Sequence, residues 1–245
     1  MENDHGSATA GHMSSYSFDI GDEDPRASDA SHRMNRMYRW QRHVYDISRR
    51  YYLLGRDRMI GNLDPADGAN VLEIGCGTGR NLLRAARRYP QARFFGIDVS
   101  TEMLASAMSA IARTDLAGRI RLAQADATFA NPQLLFNVER FDAVVISYSL
   151  SMIPEWRQVL DGAVAQLKPG GRLHVVDFGD LERLPAIRAP LLRWLALFGV
   201  TPRDDLEPVL SARAVAAGAT LRVERPFRSY AQYAVLTLPG GSRTP

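Results

Sequence analysis

The run Val71-Leu72-Glu73-Ile74 is apolar and strand-like, ends in Gly75-Cys76-Gly77-Thr78-Gly79, and passes at Arg80 into a helix-like stretch. Three glycines in five residues force a tight turn whose backbone can approach a ligand closely, with the free N–H groups of the next helix aimed at it. A strand, a glycine turn and a helix open a βαβ unit, so this stretch commits the chain to a parallel sheet with crossover helices. Later runs continue the pattern. Residues 93–99, 121–127, 141–147 and the segment 167–177 read as strands, and their apolar density suits a sheet covered on both faces. Residues 221–225 and 233–237 supply two more.

The spacing of the glycines separates the ligands such a turn can hold. A dinucleotide turn needs G-x-G-x-x-G, and the last position here is Arg80; a phosphate-cradling loop needs a lysine after its glycines, and the one lysine in the chain is Lys168. What remains is E-x-G-x-G, which resembles the first motif of the class I S-adenosylmethionine (SAM) dependent methyltransferases. Asp98 ends the second strand roughly 20 residues beyond the turn, where a carboxylate can accept both ribose hydroxyls. Asp126 by itself reads first as a helix N-cap. Leu167-Lys168-Pro169-Gly170-Gly171 is similar to the L-K-P-G-G turn of the same family.

The resemblance implies an α/β, Rossmann-like fold with a seven-stranded, mostly parallel sheet and an antiparallel edge strand. It also implies SAM as cofactor. By position, Glu73 would hold the methionine end and the backbone of Gly75, Cys76 and Gly77 would line it. Asp98 would take the ribose, Val99 and Met103 would flank adenine, Asp126 and Ala127 would meet its edge, and Ser147 would close the pocket.

Length allows one such domain in 245 residues. Cys76 is the sole cysteine, so no intramolecular disulfide is possible, and its place in the turn makes it a small filler rather than a nucleophile. The five histidines have no metal-ligand spacing; no metal is expected, and His174, inside a strand, reads as a satisfied core residue. No apolar run reaches the roughly 18 residues of a membrane span, and no signal peptide precedes the acidic start. A cytoplasmic protein is expected.

Charge is unevenly spread. Residues 1–30 hold seven acids against Arg26, a net −6 in a Ser/Gly/Asp-rich run whose composition predicts disorder. Residues 31–60 carry eight arginines against Asp46 and Asp57, a net +6. In that segment Trp40, Val44, Ile47, Tyr51 and Leu54 recur at helical steps beside a stripe of Met34, Tyr38, Tyr45 and Tyr52. Each arginine alone reads as solvated surface, whereas eight interleaved with aromatics suit an anionic surface and a lid over a cofactor pocket.

The string Met34-Asn35-Arg36-Met37-Tyr38-Arg39-Trp40-Gln41-Arg42-His43-Val44-Tyr45-Asp46, continued by residues 49–58, resembles the N-terminal signature of bacterial betaine-lipid N-methyltransferases. That resemblance implies stepwise methylation of the diacylglycerylhomoserine amine at a membrane surface, with the protein peripheral to the inner face. Tyr45-Asp46 and the following helix are also similar to quinone C-methyltransferases. A phosphatidylethanolamine acceptor, and a SAM- or membrane-binding module without turnover, stay open as alternatives. Nucleic acid is not expected as a partner, because the basic excess sits in one short segment laced with apolar stripes.

Tyr45 and Tyr148 are the candidate catalytic aromatics, facing the sulfonium and the quaternary product by cation–π contact; Arg39, Arg49 and Arg56 are candidates for the homoserine carboxylate. Residues 181–198 are very apolar with three arginines, and read equally as a sheet-covering helix and as an acceptor- or membrane-facing one. The expected organisation is an acidic tail at 1–30, a helical lid at 31–62, a SAM-binding domain at 63–239 and a flexible end at 240–245.

Overall fold

The structure, a computed structural model, describes residues 53–241. The tail 1–30, residues 31–52 with Arg39, Tyr45 and Arg49, and residues 242–245 lie outside the described residues. The chain divides into the units Met1–Tyr51 and Tyr52–Pro245, and the second is the one described.

Strands β1 (Asn70–Ile74), β2 (Arg93–Asp98), β3 (Ile120–Gln124), β4 (Phe141–Ser147), β5 (Leu167–Phe178), β6 (Thr220–Glu224) and β7 (Ala231–Thr237) form one sheet, ordered β3-β2-β1-β4-β5-β7-β6. The first five run parallel. The antiparallel element lies at the expected side of the sheet: β7 runs against both β5 and β6, leaving β6 outermost. The Lys168-Pro169-Gly170-Gly171 turn is absorbed into the start of β5, where pairing with β4 shifts register between Phe141 and Ala143.

The connecting helices are α1 (Arg56–Gly61), α2 (Arg80–Arg88), α3 (Thr101–Ala112), α4 (Pro132–Phe136), α5 (Trp156–Ala165), α6 (Pro185–Ala196) and α7 (Leu206–Ala216). Their ends follow local chemistry. The Ser100 hydroxyl accepts from Met103 N at the start of α3, and Asn131 caps α4 ahead of Pro132 at its first position. Alternation along the strands sends Leu72, Ile74, Val144, Ile146, Leu173 and Val175 to one face, against Trp156, Val159 and Leu160 of α5 and Leu206, Leu210 and Ala214 of α7. Phe95 meets Phe136 and Phe141 on that face at ring separations of 5.1 and 5.6 Å. Such aromatic pairs contribute about 0.5–1.5 kcal/mol each beyond their buried area.

On the other face, α2 buries Leu82, Leu83, Ala85 and Ala86. Gly96 in β2 makes room there, since a Cβ would lie 2.6 Å from Leu82 and 2.8 Å from the Cys76 sulfur. Strand order reverses between β1 and β4, and at such a switch point an open α/β sheet leaves a crevice at its carboxyl end. The glycine turn sits there.

Candidate functional site

The turn after β1 is built on three left-handed glycines, Gly75 (φ 70°), Gly77 (φ 54°) and Gly79 (φ 72°). Gly75 N and Cys76 N both donate to Ile97 O, at 2.9 and 3.0 Å, which fixes the turn against the end of β2. At Gly75 a Cβ would come within 2.6 Å of the Ser149 Cβ, so the segment after β4 presses directly on the turn. At Gly77 nothing lies within 4 Å of an added Cβ. That glycine opens onto free space, as a backbone that cradles a ligand should.

Asp98 braces this cradle. One carboxylate oxygen accepts from Gly77 N at 2.7 Å and the other from Ser100 N at 2.9 Å. Each oxygen keeps a second lone pair, so the half-exposed carboxylate can still receive a ribose diol. Val99 beside it is 66% exposed and Met103 is half-buried, an uncovered apolar edge where an adenine ring would lie. Asp126 is exposed just beyond β3, and its side chain accepts from Thr128 N at 2.8 Å. It caps a turn followed by the half-buried Ala127, not a helix.

Glu73 is fully enclosed, and burial pushes its carboxyl up to about 8 against the opposing pull of Asn81, Arg56 and Arg80. Asn81 Nδ2 donates to Glu73 Oε1 at 2.7 Å, while Oε2 has no partner. The Ser147 hydroxyl at the end of β4 is buried and unpartnered too. Two orphaned oxygens flanking an open glycine cradle fit the charged and polar end of a methionine moiety. Cys76 is buried, and desolvation raises its thiol well above the ordinary range, which suits the filler role and not nucleophilic attack.

Tyr148 is placed differently from an exposed aromatic wall. Held at φ 56°, it is buried, stacks edge-on to Phe178 at 4.8 Å and donates its hydroxyl to Leu54 O at 2.6 Å. It ties the end of β4 to the segment entering α1. Arg56, at the start of α1, carries a charge that favours ionisation of both Glu73 and Tyr148 against the burial that opposes it. Asp57 next to it pairs with Arg80 and Arg84, joining α1 to α2.

Three residues escaped the sequence reading. Asn81 orients Glu73, and its only signal was a polar residue on the inward side of α2. Ser149 fills the space against Gly75 and donates to Ile74 O. Asp177 is buried at the end of β5, where its carboxylate accepts from Ser151 N at 3.1 Å and Phe178 N at 2.8 Å; burial raises it to about 6. It anchors the loop after β4. His174 is enclosed on the α1/α2 face, with Nδ1 2.9 Å from the Tyr233 hydroxyl and Nε2 unpartnered, so it is only half satisfied; burial lowers it to about 3. A cavity of about 800 Å³ beside it, lined by Arg58, Arg172, Arg222 and Tyr233, contains none of the predicted donor-site residues.

Residues 71–171 match the family model described as a methyltransferase domain. Trans-aconitate 2-methyltransferase of Streptomyces coelicolor is 33% identical over 167 residues, covering 65% of this chain and 54% of that protein. A ubiquinone/menaquinone biosynthesis C-methyltransferase of Syntrophotalea carbinolica is 32% identical over 141 residues, covering 56% and 57%. The chain thus spans little more than half the length of these relatives. Among solved structures, the plantazolicin methyltransferase BpumL in complex with SAH superposes with a TM-score of 0.63 at 13% identity, over 81% of this chain and 90% of that one. An O-methyltransferase family protein from Burkholderia thailandensis gives 0.62 at 20% identity, over 77% and 57%. Residues 71–171 thus match a methyltransferase domain, and the described body has the sheet order and fold of the methyltransferases on which it superposes.

Proposed function

We propose that this chain transfers methyl groups from SAM to the amine of a lipid headgroup, most specifically in successive steps on diacylglycerylhomoserine to give the trimethylated betaine lipid. The observation that carries this reading is the long arginine and tyrosine string of residues 34–58, similar to that of bacterial betaine-lipid N-methyltransferases. Its last residues enter α1, where Arg56 contributes a charge that favours ionisation of Glu73. Such a guanidinium suits a substrate carboxylate.

When bound, SAM supplies a methyl group already activated by its sulfonium. The chain's own task is then alignment: Asp98 would fix the nucleoside end, and Glu73 and Ser147 with the glycine cradle would orient the amino-acid end. An acceptor amine with an ordinary pKa of about 10.4 is mostly protonated at neutral pH. An apolar surrounding favours its neutral form, so an apolar, aromatic lining of the acceptor site would do part of the work a base would do. Arg56, with Arg39 and Arg49 earlier in the same string, would hold the headgroup carboxylate; Tyr45 would face the cationic product. The protein would work peripherally, at the inner face of a membrane.

Likeness to the quinone-pathway C-methyltransferase supports a second reading, methylation of a quinone ring carbon. Lipid profiles of a host with and without the protein separate the two. Loss of the protein is expected to leave unmethylated diacylglycerylhomoserine in place of the betaine lipid; an unchanged betaine-lipid profile with a demethylated quinone would favour the second.

A further inference from the structure

Helix α6 follows β5 at the carboxyl end of the sheet, the end that carries the donor turn. Ten of its twelve residues are Ala, Ile, Leu, Trp or Pro, the other two being Arg188 and Arg193, yet it buries Leu195 alone. Its neighbour α7, one residue shorter, buries Leu206, Leu210 and Ala214. At about 100° per residue, Ala186, Ile187, Pro190 and Leu197 fall on one arc of α6 and its C-cap. All four are exposed, Ile187 by 45% and Leu197 by 79%.

A second apolar point stands beside it. The turn Pro226–Ser229 places three consecutive residues, Phe227, Arg228 and Ser229, in the left-handed region at φ 56°, 57° and 64°. This conformation leaves Phe227 49% exposed. The loop 179–181 ahead of the helix joins both. Leu181 N donates to Ser229 O at 3.1 Å and Gly179 N to Tyr230 O at 2.9 Å. Arg188 Nε donates to Asp180 O at 3.0 Å, and Arg225 lies 3.6 Å from the Asp180 carboxylate. Across residues 179–198 and 225–230 five arginines face Asp180 and Glu182, a net +3.

We infer that α6 and the 226–229 turn form an interfacial anchor that lies on an anionic lipid bilayer, with Ile187, Leu197 and Phe227 entering the headgroup–acyl boundary and Arg183, Arg193 and Arg228 meeting lipid phosphates. A narrow apolar arc rimmed by arginines has the charge and width such a surface requires. The anchor rests on the lipid-acceptor reading and adds to it the surface that brings the acceptor to the donor site.

Full-length protein is floated with vesicles of phosphatidylglycerol and phosphatidylcholine, or of phosphatidylcholine alone. Wild type is expected to float with the anionic vesicles and less so at high salt. The double variant Ile187→Asp, Leu197→Asp is expected to bind them roughly tenfold or more weakly, while its circular dichroism and SAM affinity stay unchanged. Equal vesicle binding by wild type and variant would overturn the anchor, as would a wild-type dimer that this variant dissociates without any vesicle binding. Methylation of detergent-dispersed diacylglycerylhomoserine keeps the two proposals apart. If wild type methylates the dispersed lipid but ignores vesicles, the anchor fails and the acceptor stands; if it binds vesicles through these residues but methylates neither form, the acceptor fails and the anchor stands.

Discussion

Glu73 combines an enclosed carboxyl, one hydrogen bond from Asn81 and one empty oxygen. Raised to about 8, it is mostly neutral in the ligand-free protein at neutral pH. A cationic ligand placed against it would pull its pKa down and so release a proton on binding. SAM affinity measured by calorimetry is therefore expected to climb as pH rises toward about 8 and level off above it. Glu73→Gln should bind more weakly and with a flat profile; an unaltered pH profile in that variant would remove Glu73 from the site. Asp98→Ala should weaken SAM binding by more than about tenfold, since one hydrogen bond to a charged group contributes about 1.5–3 kcal/mol. Unchanged affinity would cancel the ribose assignment. The positions of both acids in the fold were legible because a glycine turn and a strand end fix them in the sequence. Asn81 was not: its importance comes from a side chain eight residues away that the fold turns toward it.

Elements were legible where composition and period agreed. Strands β1, β2 and β4 are apolar runs bounded by turn residues, and their limits follow the reading within a residue or two. The start of β5 was read as a turn, and the sheet draws it into a strand through the register shift opposite β4. Residues 181–198 show the limit: apolar content predicts a helix but not which face the sheet will cover, and α6 in fact leaves most of its surface uncovered. The glycine turn can be dissected at this scale. Gly75→Ala combines a left-handed φ with a 2.6 Å overlap on Ser149 and should cost about 2 kcal/mol or more in thermal unfolding. Gly77→Ala meets open space, so it should cost about 1 kcal/mol of stability while impairing SAM binding far more. If the two variants lost stability and affinity in the same proportion, the distinction between a packed and a cradling glycine would fail.

For the whole molecule, the buried ionisable groups set opposing pH trends. Glu73 and Asp177 are raised from 4.5 and 3.8 to about 8 and about 6, so the stability they contribute is complete below their ordinary values and is lost as pH rises through those higher ones. His174 is lowered from 6.5 to about 3, so its contribution is lost as pH falls from 6.5 toward 3. Melting temperature without ligand should thus decline toward pH 8, and the rise produced by saturating SAM should be larger at pH 8 than at pH 6, because a ligand that draws out the Glu73 proton binds tighter there. A SAM-induced rise that is the same at both pH values would contradict this linkage. The fold and the methyltransferase likeness were legible in the ordered motifs along the sheet, while the proposed acceptor rests on the arginine- and tyrosine-rich string ahead of them.

The central claim, methyl transfer to a lipid amine, is tested most directly by giving purified full-length protein methyl-labelled SAM with dispersed diacylglycerylhomoserine and following the products by mass spectrometry. The account predicts mono-, di- and trimethylated lipid appearing in succession. Absence of label in this lipid, with transfer instead to a quinone precursor or to trans-aconitate, would contradict it.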